Sequence, residues 1–447
     1  MCWLIAMGWP CCTAPAFAAD KPIVIRGGTL FDPVTGTWLA ELTILIEGAR
    51  IKAIGGPQNP LPVPHGARVI DARGKFIIPG LIDAHVHLVH RLNFAHMTGD
   101  EILPAFLAAG VTSVRDTGDE IVAQTLVAHY AEAHPERCPR VFTASFLLDA
   151  DPVIHRDIGL PIRDPGRVPE IVADMAAWKI TTLKIYAGSG RAVGRKIIEE
   201  GHKRGLVVTG HLGAYPAHEA VEDGIDCLEH ITSVFDFVIA RGKAGQRAEF
   251  LLDQDLSKSL IMALAKRKVM VDPTLTVFKN MLLLSDLEEV HRHADNAHMP
   301  ERLRSYWDSY RLGQGLAPAT RDRRRTQFQA YQELVGLLLR AGVPLLAGTD
   351  APEPYCPPGF ALHQELELLV ESGLTPVAAL QAATINNARA LKKENELGSV
   401  EPGKFADLVI LAADPTADIR NSRKIVYVVH GGIVCEPNAL LKFVPAK

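Results

Sequence analysis

The 447-residue sequence is poor in features that would tie it to nucleic acid, to membranes or to a cysteine framework. Lys and Arg number 47 against 51 Asp and Glu, so the formal charge is −4 and gives no electrostatic case for nucleic acid. The densest basic run, RDRRRTQ from Arg321 to Gln327, is short and reads as a solvated helix face. Seven cysteines include no Cys-x-x-Cys pair, which argues against a zinc knuckle. Cys138, Cys227, Cys356 and Cys435 are widely spaced and read as core thiols, with no disulfide that the sequence itself can pair. No Gly-x-Gly-x-x-Gly follows an early strand-like run, which counts against a doubly wound sheet. The apolar run at the start is broken by Pro10, well short of the roughly 20 residues a membrane span needs.

What is present points to a large folded protein. Apolar residues make up 48% of the chain and the mean hydropathy is +0.10, enough for a sizeable buried core. The opening MCWLIAMGWPCCTAPAFAAD is uncharged until Asp20, apolar in the middle, and ends in small residues around Ala16-Phe17-Ala18. It reads as an export signal over 1–19, although no Lys or Arg follows Met1, and predicts a periplasmic or secreted protein. Next come PIVIRGGTLFDP, LTILIEGARIKAIGG and ARVIDARGKFIIPG, β-branched runs bounded by Gly, Pro or Asp. ADLVILAAD, IVYVVHGGIV and CEPNALL repeat that texture at the far end. The middle alternates strand-like and helix-like segments, and eight strands are counted from FIIPGLIDAHVH to VPLLAGTDAP. Such alternation implies parallel strands joined by crossover helices.

The expected fold is therefore α/β: a (β/α)8 TIM-like barrel with a small β-sandwich domain built from both chain ends. The divisions are 20–78 for the N-terminal part of the β domain, 79–396 for the barrel and 397–447 for the C-terminal part. Between the seventh and eighth strands, Phe278 to Leu339 is long for one βα unit and predicts extra helices over the barrel mouth. Its His291, His293 and His298 read as solvated helix residues.

Barrel chemistry sits at the C-terminal ends of the strands. The first strand ends in PGLIDAHVHL, where period-two alternation points His85 and His87 the same way. Lys184 lies in the fourth (TLKIYAG), His211 ends the fifth (VVTGH), His230 the sixth (CLEH) and Asp350 the eighth (LLAGTD). Four imidazoles, a carboxylate and a lysine at one end of one kind of element suit zinc or a similar divalent ion. A lysine beside cations makes sense as a carbamate, which could bridge two ions; the alternative is an ammonium that reaches solvent or pairs with Asp350. Tyr186 points the same way as Lys184, and the loop after the third strand could bring His155 or Arg156 to the mouth. These three are the candidate substrate contacts. His363, on the helix after the last loop, reads as a packed residue.

The set GLIDAHVH, LKIYAG, GH, LEH and GTDAP resembles the amidohydrolase superfamily of metal-dependent hydrolases, as does the tail from ELELLVESGLTP to KFADLVIL. Within it the look is toward the imidazolonepropionase and prolidase-like dipeptidase branch. The resemblance implies one ion on His85, His87 and Asp350, a second on His211 and His230, and carboxylated Lys184 joining them. It also implies zinc, Asp350 as proton shuttle, and hydrolysis of an amide bond in a small molecule such as a dipeptide or N-acyl amino acid. Cyclic amides and lactones are the rival substrates. A non-catalytic scaffold of this fold is the other class, and the six filled positions argue against it. The sequence sets no oligomeric state, and a homo-oligomer is compatible with it.

Overall fold

Runs of Ile, Val and Leu that alternate with polar residues form the two chain ends into one sheet. The computed structural model describes residues 21–241, 247–284, 294–312 and 314–444, so the expected signal over 1–19 lies outside the described residues. Strands β1 (Ile23–Asp32), β2 (Thr37–Glu47), β3 (Arg50–Gly55), β4 (Arg68–Asp71) and β5 (Phe76–Pro79) come from the N-terminal side. After the long middle come β17 (Leu408–Leu411), β18 (Ile425–His430) and β19 (Ile433–Cys435). They pair in the order β19-β18-β17-β5-β1-β2-β3, with β4 also on β1. Ile25, Ile44, Ile46, Ile51, Ile77, Leu408, Ile410 and Val429 meet in a single buried cluster, which closes this sheet's own core. The pairings form one connected sheet from both ends of the chain. CEPNALL departs from the expected strand texture: β19 stops at Cys435 and Pro437–Leu440 is a helical turn. Pro437 has no N–H for a ladder and favours the first position of a helix.

The middle supplies parallel strands: β6 (Leu81–Val86), β7 (Val111–Asp116), β8 (Arg140–Phe142), β9 (Ala144–Asp149), β10 (Gly159–Pro161), β11 (Thr182–Ile185), β12 (Val207–Gly210) and β13 (Cys227–Glu229). A hairpin of β14 (Ile239–Arg241) and β15 (Arg247–Leu252) precedes β16 (Met270–Asp272). β6 pairs with β7 and β7 with β8, while β9-β11-β12-β13-β16 continue on the far side of Thr143. Parallel bridges Val271–Leu345 and Val86–Ala351 then join β16 to the 345–351 segment and that segment back to β6. Parallel neighbours thus run in a circuit that returns to its first strand. Helices such as Ile121–Ala133, Arg191–Lys203 and Gln254–Arg267 cross between consecutive strands and pack on one large apolar cluster.

Two local outcomes matter for the site. The run VMVDPTLTV is strand over Met270–Asp272, and a helix follows over Leu275–Leu283, its first N–H groups accepted by the Glu365 carboxylate at 2.9 and 2.7 Å. Helices Glu301–Ser309 and Pro318–Arg340 fill the described part of the long insertion, as expected; His291 and His293 fall outside the described residues, and His298 stacks on Phe360. Cys138, Cys227, Cys356 and Cys435 are buried and unbridged. Among the described residues no helix is long and apolar enough to cross a membrane.

Candidate metal centre

The period-two reading of β6 holds at atomic level. His85 Nε2 and His87 Nε2 lie 3.5 and 3.3 Å from the same oxygen, Asp350 Oδ1. The opposite nitrogen of each ring is committed. His87 Nδ1 donates to the Gly118 carbonyl at 3.1 Å, and His85 Nδ1 donates to Glu229 Oε2 at 2.8 Å. Neutral rings fixed in that tautomer turn lone pairs toward a carboxylate. Acceptors face acceptors there, an arrangement that only a cation or an extra proton satisfies. Asp350 and Asp119 duly hold His87 above its ordinary range against the pull of burial.

His230 packs against His85 with ring centroids 4.5 Å apart, and His211 packs against His230 at 4.4 Å. His230 Nδ1 meets Thr274 Oγ1 at 2.8 Å. One ligand atom each from His85, His230 and Asp350 lie within 4.8 Å of one another. Lys184 is 1% exposed and its Nζ has no hydrogen-bond partner among the described residues. His87, Lys184, His211, His230 and Asp350 all line one cavity of about 170 Å³, with His85 packed directly behind them. Six side chains expected from five separate strand ends therefore meet in one place.

The amidohydrolase family pattern matches residues 76–434. The chain belongs to the amidohydrolase family. It is 25% identical to the imidazolonepropionase of Geobacillus kaustophilus over 445 residues, covering 91% of this chain and 92% of that protein. It is 24% identical to an adenine deaminase of Mesorhizobium japonicum over 87% of this chain. The chain spans 54% of that deaminase's length and 59% of a second one from Rhizobium meliloti. A solved Xaa-Pro dipeptidase with bound methionine shares the fold at a TM-score of 0.70 and 20% identity, covering 93% of this chain and all of that one.

Enzymes of this family use divalent metals, and the residues present fit such ions. Among the described residues His85 Nε2 and Lys184 Nζ are buried polar atoms without a hydrogen-bond partner, which a native interior rarely leaves so. Burial and nearby Lys184 push His85 down to about 4 and His211 to about 3; burial and His211 hold His230 well below its ordinary range. These imidazoles are neutral at pH 7, the state that ligates. Burial works against ionising Asp350, but His85, His87 and His230 overcome it and keep the carboxylate charged. Burial likewise lowers Lys184, favouring the uncharged amine.

Backbone strain aims these groups. His230, Thr274 and Asp350 have φ of 65, 46 and 63°, left-handed values that non-glycine residues adopt at a cost of order 1–3 kcal/mol. Gly348 is forced by crowding: a Cβ there would sit 2.2 Å from Asp272 Oδ2 and 2.6 Å from the His85 Cβ.

A buried charge cluster under the ligands escaped the sequence reading. Glu229 accepts from His85 on one oxygen and from Arg115 at 2.5 Å and Thr209 on the other. Burial opposes its ionisation, but Arg115, Lys184 and His85 hold it well below the carboxylate range. Asp272 sits beside this pair with neither oxygen hydrogen-bonded among the described residues; burial and Glu229 push it well up.

The expected substrate contacts divide. Tyr186 and His155 line the cavity and bond each other, Tyr186 Oη to His155 Nε2, at 2.9 Å. Arg156 is exposed and is not among the lining residues, because the loop turns His155 inward and its neighbour outward. The lining arginine is Arg91, paired with Glu353. His363 is packed as expected, bonding Ser422 Oγ and the Ala109 carbonyl.

Proposed function

We propose that this chain is a metal-dependent hydrolase that cleaves an amide C–N bond of a small molecule, dipeptides of the prolidase kind or N-acyl amino acids first. The observation that carries the reading is the corner of His85, His87 and Asp350 beside a cavity lined by Lys184, whose Nζ has no hydrogen-bond partner among the described residues. His85, His87 and Asp350 would hold one divalent ion, zinc by donor type, and His211 and His230 a second, with Lys184 as its N6-carboxylate between them. Bound there, such ions supply Lewis acidity, polarising a carbonyl and bringing a water's pKa toward 7. Asp350, kept ionised, is the base that takes the proton from the attacking water and returns it to the leaving nitrogen. Glu229 and the Gly118 carbonyl keep the Nε2 lone pairs of His85 and His87 free for ligation. Tyr186, steadied by His155, offers its hydroxyl to the substrate's polar end, and Phe278 and Met281 give an apolar wall.

A second reading, hydrolysis of a cyclic amide or lactone, draws on the near full-length likeness to an imidazolonepropionase. The same reading takes the parallel circuit as the eight-unit barrel over 79–396, and the end sheet as the sandwich from 20–78 and 397–447. Export through residues 1–19 is part of this proposal. Metal analysis together with a screen of dipeptides, N-acyl amino acids and lactones on metal-loaded protein tests it. Near two equivalents of zinc with amide turnover is the expected result. A well-folded sample that binds no metal and hydrolyses nothing overturns it in favour of a scaffold.

A further inference from the structure

Three side chains at the cavity's edge are not used by the mechanism as a set. His90 opens the helix His90–Phe94 and is 4% exposed. Its Nδ1 lies 2.5 Å from Asp157 Oδ2, and its Nε2 is buried with no hydrogen-bond partner among the described residues. His155 sits 5.2 Å away, ring to ring, on the loop that also carries Asp157. One ring nitrogen of each histidine and a carboxylate oxygen of Asp157 lie within 4.8 Å of one another.

We propose that His90, His155 and Asp157 form a further divalent-cation site at the rim of the cavity, separate from the six-residue centre. Two imidazoles and a carboxylate are a donor set for zinc-like ions and leave one position open toward the cavity. His155 already spends Nε2 on Tyr186, so its Nδ1 is the nitrogen free to ligate. Burial and Arg91 keep His90 uncharged, down to about 4. Ligands about 2.0–2.1 Å from a tetrahedral ion stand about 3.3 Å apart, so Asp157 must withdraw by less than about 1 Å. Its side chain is 43% exposed and free to do so. Neighbouring Arg91 opposes a cation, which makes this site the weaker one. An ion bound to His155 would fix Tyr186 and narrow the mouth, so excess cation slows turnover; that consequence, unlike the site itself, rests on the proposed function.

Equilibrium dialysis of the full chain against Zn²⁺ alone, with elemental analysis, tests the site. Wild type is expected to take up its tight equivalents and then one weaker equivalent. Asp157→Asn, a change on an exposed side chain, is expected to keep the tight phase and weaken the last equivalent at least tenfold. Inhibition by excess Zn²⁺ should shift by the same factor. A wild type without the weak phase, or a weak phase unchanged in both Asp157→Asn and His90→Gln, overturns the proposal. Loss of the tight phase with the weak one intact and Asp157-dependent would support the rim site while sinking the six-residue centre.

Discussion

Two buried polar clusters adjoin the 345–351 segment, and they are built on opposite terms. In the first, Asp83 accepts from the Thr349 amide at 3.1 Å, the Thr349 hydroxyl at 2.7 Å and the His85 amide at 3.2 Å. Glu365 likewise accepts from the Leu275 and Thr276 amides and the Thr276 hydroxyl. Both carboxyls are fully buried and supplied with donors. In the second cluster, His85 Nε2, Lys184 Nζ and both Asp272 oxygens are equally buried and have no hydrogen-bond partner among the described residues. Burial is the same in both; satisfaction is not. A satisfied cluster ties strands and helices together, whereas an unsatisfied one is a place prepared for something the chain does not itself supply.

The sharpest way to break the comparison is at Asp350, whose Oδ1 faces the unsatisfied His85 Nε2 at 3.5 Å. Asp350→Asn should cost turnover at least ~10²–10⁴-fold, the range of a lost proton-transfer group. Circular dichroism should be unchanged, because no helix or sheet bond depends on that carboxylate. Unaltered activity, with deamidation excluded by mass spectrometry, would remove Asp350 from the chemistry. Glu229→Gln is the next largest. It keeps the shape but weakens the acceptor that orients His85, and metal affinity should fall ~10–100-fold. Metal retention equal to wild type in a chelator competition would make Glu229 a structural ion-pair partner of Arg115 only. Thr276→Val tests the satisfied side: losing one of three donors to buried Glu365 should cost ~1 kcal/mol in denaturant unfolding and leave metal content alone.

How much of this was legible in the sequence follows from the same distinction. His85 and His87 were readable because a strand's period of two is rigid, and Asp350 and His211 because they end apolar runs. Glu229 was not readable as a partner of His85. Strict alternation puts it on the face opposite His230, and only the left-handed φ at His230 lets both reach the same imidazole. Arg115 did leave a signal, a charged residue inside the apolar run GVTSVRDTG, but its partner is 114 residues away and no local rule supplies it. The loop after β9 shows the limit at its plainest. His155 and Arg156 are adjacent, the sequence offered either of them to the mouth, and the path of the loop selected the histidine. In the fold, the strand-helix alternation was legible, while CEPNALL was mistaken for strand because apolar content alone cannot tell a short strand from a helical turn.

The smallest effect bears on whether full hydrogen bonding makes a buried carboxylate innocuous. Glu365 has three donors, yet burial still pushes it up to about 7. A carboxyl with a raised folded value binds its proton more tightly in the native state than in the unfolded chain. Its contribution is therefore fully present below about pH 4.5 and is lost as the pH rises through 7. In Glu365→Gln that titration is gone. The amide mimics the neutral acid imperfectly, since one of its two ends donates where the acid could accept. Wild type should thus exceed the variant in Tm at pH 4.5, and the gap should narrow steadily to pH 7 and stay flat above it. Asp83 titrates in both proteins and cancels in the difference. A gap independent of pH would mean that the three donors fully offset burial, and the satisfied cluster would then carry no charge cost at all.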